Sequence, residues 1–445
     1  MLPRIFAMFV VAGLAMTSAD AAGVVHDLPP PLTEDQFQDF DERRAQIGQL
    51  LFYDKILSGN RNISCGTCHN HVHATTDGLS LGVGEGGVGL GPNRKIPSGR
   101  NHPDKRVPRN ANALFNLGHE GFRVMFHDGR ASVDDLYGNG FNTPAEEWLP
   151  QGLTSIAAAQ AMFPVTSQVE MAGDPEENDI AASRRERIDH VWPVIAKRVW
   201  DIPKYVEMFA NAYDDVETPG DITMVHIANA IGDFIISEWK SADSPFDAFL
   251  RGDNTALNDA QHRGLDLFYG KANCAACHGG PLLTDQKFHA LALPPIGPGR
   301  VRSFDPKPRD VGRMSETDDI MDAYRFRTPS LRNVALTGPW GHNGAYKSIE
   351  GIIRHHLDPV TALGNWDRSQ VVLPRSERFA VTDFVIWEDA REMARLISRV
   401  DVEPMSLADR EVSDLVSFMN ALTGESALKG RLGKPEKVPS GLPVD

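Results

Sequence analysis

Ile63-Ser64-Cys65-Gly66-Thr67-Cys68-His69 and Ala272-Asn273-Cys274-Ala275-Ala276-Cys277-His278 are the two stretches that decide how this chain folds. Between them they hold all four cysteines, and each contains C-x-x-C-H. Two thiols three residues apart can each add to one haem vinyl group, and the histidine that follows then lies under the iron as proximal ligand. Zinc needs the two clusters to meet, or two further ligands for each. A redox-active C-x-x-C pair does not ask for the following histidine. Two disulfides would suit an exported chain with four cysteines, but this spacing argues for haem attachment instead.

Working outward, the sequence around each motif repeats. Gly48-Gln49-Leu50-Leu51-Phe52-Tyr53 precedes the first and Gly264-Leu265-Asp266-Leu267-Phe268-Tyr269 the second. Each closes a helical pattern, Arg43 to Tyr53 and Ala260 to Tyr269. Phe126-His127-Asp128-Gly129-Arg130-Ala131 follows the first motif, and Gly341-His342-Asn343-Gly344-Ala345-Tyr346 the second. Each repeat is expected to pack apolar helix faces on a haem rather than on a large side-chain core. Helices are predicted over Ile188 to Asn211, broken near Pro203, and over Ile222 to Lys240. Gly82 to Gly99 and Pro294 to Arg313 read as loops, and the polar stretch Gly173 to Asp179 as a junction. The expected fold is mainly α, with two cytochrome c-like haem domains in tandem and few short strands. Its predicted parts are a signal peptide over 1–21, an N-terminal domain over 22–180, a C-terminal domain over 181–430, and a tail over 431–445, with everything after Gly424 read as a surface arm.

The start of the chain has the three parts of an export signal: Arg4, an apolar run from Ile5 to Met16, and Ala19-Asp20-Ala21 as a cleavage site. The run is too short to span a bilayer comfortably and no later stretch is long and apolar enough, so no transmembrane anchor is expected and the mature chain is expected in the periplasm. The chain has 445 residues and a net charge of -15. That acidity excludes nucleic acid and anionic membrane surfaces as partners, and suits solubility or a basic protein partner.

Leu57-Ser58-Gly59, Arg109-Asn110-Ala111, Phe126 to Ala131, Val169-Glu170-Met171, Gly280-Pro281-Leu282 and Arg327-Thr328-Pro329-Ser330-Leu331-Arg332-Asn333 stand in order along the chain. With these marks it resembles the bacterial dihaem cytochrome c peroxidase family, including the MauG-like branch, from about Leu51 to about Leu422. The resemblance implies that hydrogen peroxide meets the N-terminal haem, while the C-terminal haem relays electrons.

By the family's offsets, Glu170 is the acid/base that moves the peroxide proton, Gln160 its hydrogen-bonding partner, and Pro164 a wall of the distal pocket. Members that need reductive activation cap the peroxidatic iron with a histidine from a glycine-rich loop. The matching loop here is Gly82-Val83-Gly84-Glu85-Gly86-Gly87, with Glu85 in that place, so an open or water-bound iron is expected. His71, His73, His102 and His119 remain as other potential caps. The second haem should carry a second axial ligand, and His356 matches its position on a helix after Ser348. Its neighbour His355 points about 100 degrees away, so only one of the two should bind. The resemblance also implies a calcium ion between the haems, held by Asn110 and by carbonyls near Thr328 and Pro329. The family's inter-haem tryptophan is replaced by His127.

Three functions follow from the resemblance. The first is a peroxidase drawing electrons from a small cytochrome c or cupredoxin. The second is a MauG-like enzyme that uses peroxide to oxidise aromatic residues of a partner protein. The third is a non-enzymatic dihaem electron carrier, against which Glu170 and Gln160 at the family offsets argue.

Overall fold

The computed structural model describes residues 28–445 apart from 100, 101 and 303; the expected export signal lies outside them. The described chain is mostly helical. Three short antiparallel strands, Val124–Met125, Ala131–Val133 and Phe141–Asn142, form one small sheet, and Phe288–His289 pairs with Phe326–Arg327 in another.

One helix crossing occurs twice. The Glu42–Tyr53 helix is capped by Asp41, whose carboxylate accepts from the N–H groups of Arg43 and Arg44, worth about 1 kcal/mol. It crosses the Met224–Glu238 helix at Gly48, where a Cβ would lie 1.9 Å from the Ala230 carbonyl oxygen. The Asp259–Tyr269 helix crosses the Asp409–Ala421 helix at Gly264, where a Cβ would lie 2.1 Å from the Asp414 carbonyl oxygen. The repeated glycine is thus the contact that lets each helix lie on its partner's backbone. One residue turn later, Phe52 packs on Phe234 at 5.2 Å and Phe268 on Phe418 at 5.3 Å between ring centroids. Each such ring contributes about 3 kcal/mol by burial.

Two expectations about the segments change. The first apolar core runs from Leu32 through Trp239, well past residue 180, because the Val191–Trp200, Pro203–Ala212 and Met224–Glu238 helices all pack on it. The second core begins at Phe246 and ends at Leu422. The stretch after Gly424 is no free arm either. Glu425–Leu428 forms a short helix, Ala427 and Val438 are buried in the first core, and Asp445 bonds to Lys55 and Thr67. The two repeated turns also meet. Phe126 to Arg130 links the first two strands, the Asn110 N–H donates to the His342 carbonyl at 2.9 Å, and the Arg327 N–H donates to the His127 carbonyl at 2.7 Å.

Candidate functional site

Cys65–Cys68 is a single helical turn, so both thiols face one way. The His69 N–H donates to the Cys65 carbonyl, and His69 Nδ1 donates to the Thr75 carbonyl at 2.9 Å. The ring is thereby fixed with Nε2 left as the ligand nitrogen. The second motif is built alike: the His278 N–H donates to the Cys274 carbonyl, and Nδ1 faces the carbonyls of Leu283, at 3.3 Å, and Pro329. No disulfide joins the cysteines, and burial pushes the Cys65, Cys68 and Cys274 thiols up to about 12. Redox-active pairs need the opposite shift. Among the described residues, Cys277, Asp285 and His289 are the one group of three that could share a metal ion, which leaves zinc without a fourth ligand there and Cys65 and Cys68 without a third.

His356 sits opposite His278, with ring centroids 6.4 Å apart. With metal–nitrogen bonds of about 2 Å and ring centres about 1 Å behind them, two imidazoles sharing one iron stand about 6 Å apart. His356 Nδ1 donates to the Ile352 carbonyl at 2.8 Å, one helical turn back, so its Nε2 is also free to ligate. His355 has no such freedom. It is fully buried, Nδ1 accepts from the Tyr346 hydroxyl at 2.8 Å, and Nε2 donates to the Leu291 carbonyl at 2.7 Å. The gap between His278 and His356 therefore fits a haem iron.

Gln160, Pro164 and Glu170 lie along one compact segment, from the Ile156–Ala161 helix to the wide turn Gln168–Ala172. Burial raises the proton affinity of the Glu170 carboxyl against the pull of Arg130, the Ser167 hydroxyl and Arg300. The hydroxyl beside Glu170 is thus that of Ser167, which the sequence did not single out. The glycine-rich loop is latched to the same turn, since the Glu85 N–H donates to the Val169 carbonyl at 3.2 Å. The Glu85 carboxylate is tied elsewhere, accepting from the Asn60 and Asn62 amides at 2.8 and 2.7 Å in an open groove shared with Gln168. Of the other potential caps, His71 and His102 have both ring nitrogens bonded, whereas His119 Nε2 has no hydrogen-bond partner among the described residues. His71 bonds Tyr53 and Glu238; His102 bonds the Pro103 carbonyl and the Ser376 hydroxyl; His119 Nδ1 accepts from the Gly121 N–H; His73 Nε2 packs against Gly91. A further buried carboxyl, Asp77, is pushed up to about 6 by burial despite Arg94.

Between the motifs lies a buried ionic network. Asp128 binds Arg109 at 2.6 Å, Arg300 at 2.9 Å and Arg130 at 3.0 Å, and Arg109 grips Asp310 with two bonds of 2.7 Å. Burial, with Arg109 beside it, pushes His127 down to about 3, and burial does the same to His342, so both imidazoles are neutral. Their rings stand 6.5 Å apart. Of the groups expected around a calcium ion, the Thr328 carbonyl already accepts from the Thr284 hydroxyl at 2.7 Å and from Arg327 at 3.2 Å, and the Pro329 carbonyl faces His278. The Asn110 side-chain NH2 donates to the Leu79 carbonyl at 2.7 Å, which leaves its oxygen as the atom that suits a hard cation. A buried guanidinium beside the proposed ligands repels a divalent cation. Among the described residues neither Arg327 nor Arg94 makes a carboxylate ion pair, and haem carboxylates are anions that suit them.

Comparison with known proteins agrees with this geometry. A family model described as di-haem cytochrome c peroxidase matches residues 42–255. The methylamine utilization protein MauG of Methylorubrum extorquens is 25% identical over 439 residues, 95% of this chain and 92% of that protein. Cytochrome c551 peroxidase of Pseudomonas aeruginosa is 28% identical over 354 residues, 80% of this chain and 81% of that one. A crystal structure of a MauG-like protein associated with microbial copper homeostasis superposes with a TM-score of 0.56 at 26% identity, covering 93% of this chain and 97% of that one.

Proposed function

This chain belongs to the di-haem cytochrome c peroxidase family that includes MauG, and from that premise we propose that it is an exported enzyme that reduces hydrogen peroxide at its first haem with electrons relayed through its second. The haems are c-type, bound through Cys65, Cys68 and His69 and through Cys274, Cys277 and His278, in two tandem cytochrome c-like modules. The first module reaches Trp239, as the extent of the first core supports. The place of work is the periplasm; among the described residues no helix is long and apolar enough to cross a membrane.

The observation that carries the reading is Glu170: a half-buried carboxyl of raised proton affinity, on a wide helical turn, beside a glycine loop that offers no histidine. A bound haem supplies the iron at which the O–O bond breaks and the electrons that break it. Glu170 takes the proton from the near peroxide oxygen and returns it to the far one, which leaves as water. Gln160 and Pro164 line the pocket in which this happens, and Ser167 holds the carboxylate. At the second site His278 and His356 would hold the haem iron between them, and an iron held on both sides would change little in shape as electrons pass.

A second reading, peroxide-driven oxidation of aromatic residues on a partner protein, is favoured by two features. Glu85 replaces a cap and His356 gives bis-histidine ligation, which favours oxidised iron. Steady-state turnover separates the two. With a reduced small cytochrome c or cupredoxin and excess peroxide, the peroxidase reading expects two donor molecules oxidised per peroxide consumed. Peroxide consumption with no donor oxidation, in the presence of several such donors, contradicts it.

A further inference from the structure

We propose that Tyr53 is a redox-active tyrosine that gives an electron to the first haem site after peroxide has oxidised it, with its phenolic proton passing to His71. This rests on the peroxidase reading above.

Tyr53 lies at the end of the Glu42–Tyr53 helix and is fully buried. Its ring lies over the haem-attachment turn: a Cβ on Gly66, between Cys65 and Cys68, would come within 2.4 Å of it. The Tyr53 hydroxyl bonds His71 Nδ1, and the far nitrogen of His71 donates to Glu238 Oε1 at 3.0 Å. The order phenol, imidazole, carboxylate is directional. A carboxylate only accepts, so Nε2 carries the proton given to Glu238, and in a neutral ring Nδ1 is then the acceptor for the phenol. Glu238 is itself held ready: burial would raise its carboxyl, but His71 and the N–H groups of Leu432 and Gly433, at 2.6 and 2.7 Å, keep it below its ordinary value. Gly430 of the tail lies against both His71 and Glu238, on the outer side of the relay.

Physical chemistry gives the arrangement a use. Burial, with Glu238 and Cys65 nearby, drives the Tyr53 hydroxyl far above its ordinary value, so at rest it is a neutral phenol. Removing one electron alone would leave a cation in a dry interior, at large cost. With His71 in contact, the O–H bond breaks as the electron leaves and the proton joins Nδ1. The products are a neutral phenoxyl radical and an imidazolium held by a carboxylate, and one electron has entered the haem site. Return of an electron from the donor, with the proton, restores the phenol. In the second module Gly280 stands two residues after His278, where His71 stands two after His69.

The test is freeze-quench EPR of the holoprotein after one equivalent of hydrogen peroxide. The expected result is a narrow organic-radical signal that sharpens when the protein is grown on ring-deuterated tyrosine. It should vanish in Tyr53→Phe, fall at least about tenfold in His71→Gln, and persist in Tyr269→Phe, all with parental haem absorption. Tyr53→Phe keeps the buried ring and so preserves packing. Loss of the ferric haem signals without a tyrosine-derived radical would overturn the relay alone, as would a radical that survives in Tyr53→Phe or that responds to deuterated tryptophan, which would point to Trp239, 5.1 Å from His71. Ferric signals that ignore peroxide would overturn the relay together with the peroxidase reading.

Discussion

Glu170→Gln slows the reaction of the ferric protein with hydrogen peroxide by about 10²–10⁴-fold, the usual cost of removing a positioned acid/base. That corresponds to about 3–5 kcal/mol of barrier. Glutamine keeps the shape of the side chain and can still hydrogen-bond Ser167, but it cannot accept the peroxide proton at working pH. The pH profile gives a second readout. Burial raises the Glu170 carboxyl, so the proton-accepting form is present only above that raised value. In the parent the rate should fall as pH drops through it, at a pH above the ordinary glutamate value, and this acid limb should disappear in the variant. Stopped-flow absorption measures both. An unchanged rate with full haem loading removes Glu170 from the chemistry.

His356→Ala converts the second haem from a low-spin to a high-spin ferric signal, with its potential raised and electron flow to the first haem slowed. The cause is local: the 6.4 Å gap between His278 and His356 leaves one ligand position, and the neighbouring His355 has both ring nitrogens engaged elsewhere. His355→Ala should leave that spectrum alone. It should instead destabilise the fold by about 1–3 kcal/mol, because the Tyr346 hydroxyl and the Leu291 carbonyl lose their buried partner. EPR on the two variants separates ligand from scaffold, and a low-spin signal that survives in His356→Ala gives the role to another residue.

Much of this was legible in the sequence because it is periodic or local. The helix ending at Tyr53 and the one ending at Tyr269 follow from apolar spacing, and the helix after Ser348 that carries His356 stands where the family resemblance implies it. What was missed depends on where distant atoms meet. Gly48 and Gly264 read as weak helix residues until their crossings are seen. The boundary near residue 180 was drawn on a polar stretch, yet the apolar faces of the following helices have no other core to cover. Nor does a sequence record that the Thr328 carbonyl, expected beside a calcium ion, already accepts from Thr284 and Arg327. His71 was weighed only as a cap, although a histidine two residues beyond the motif, with a tyrosine ending the preceding helix, held the signal for the pair.

The resting, fully ferric protein mixed with one equivalent of hydrogen peroxide, without prior reduction and followed by absorption and EPR, tests the open peroxidatic site most directly. With Glu85 tied to Asn60 and Asn62, and His71 and His102 engaged elsewhere, the high-spin ferric signal of the first haem should disappear within the mixing experiment. A signal that stays until the second haem is reduced would contradict this, and would mean that a ligand closes the first iron at rest.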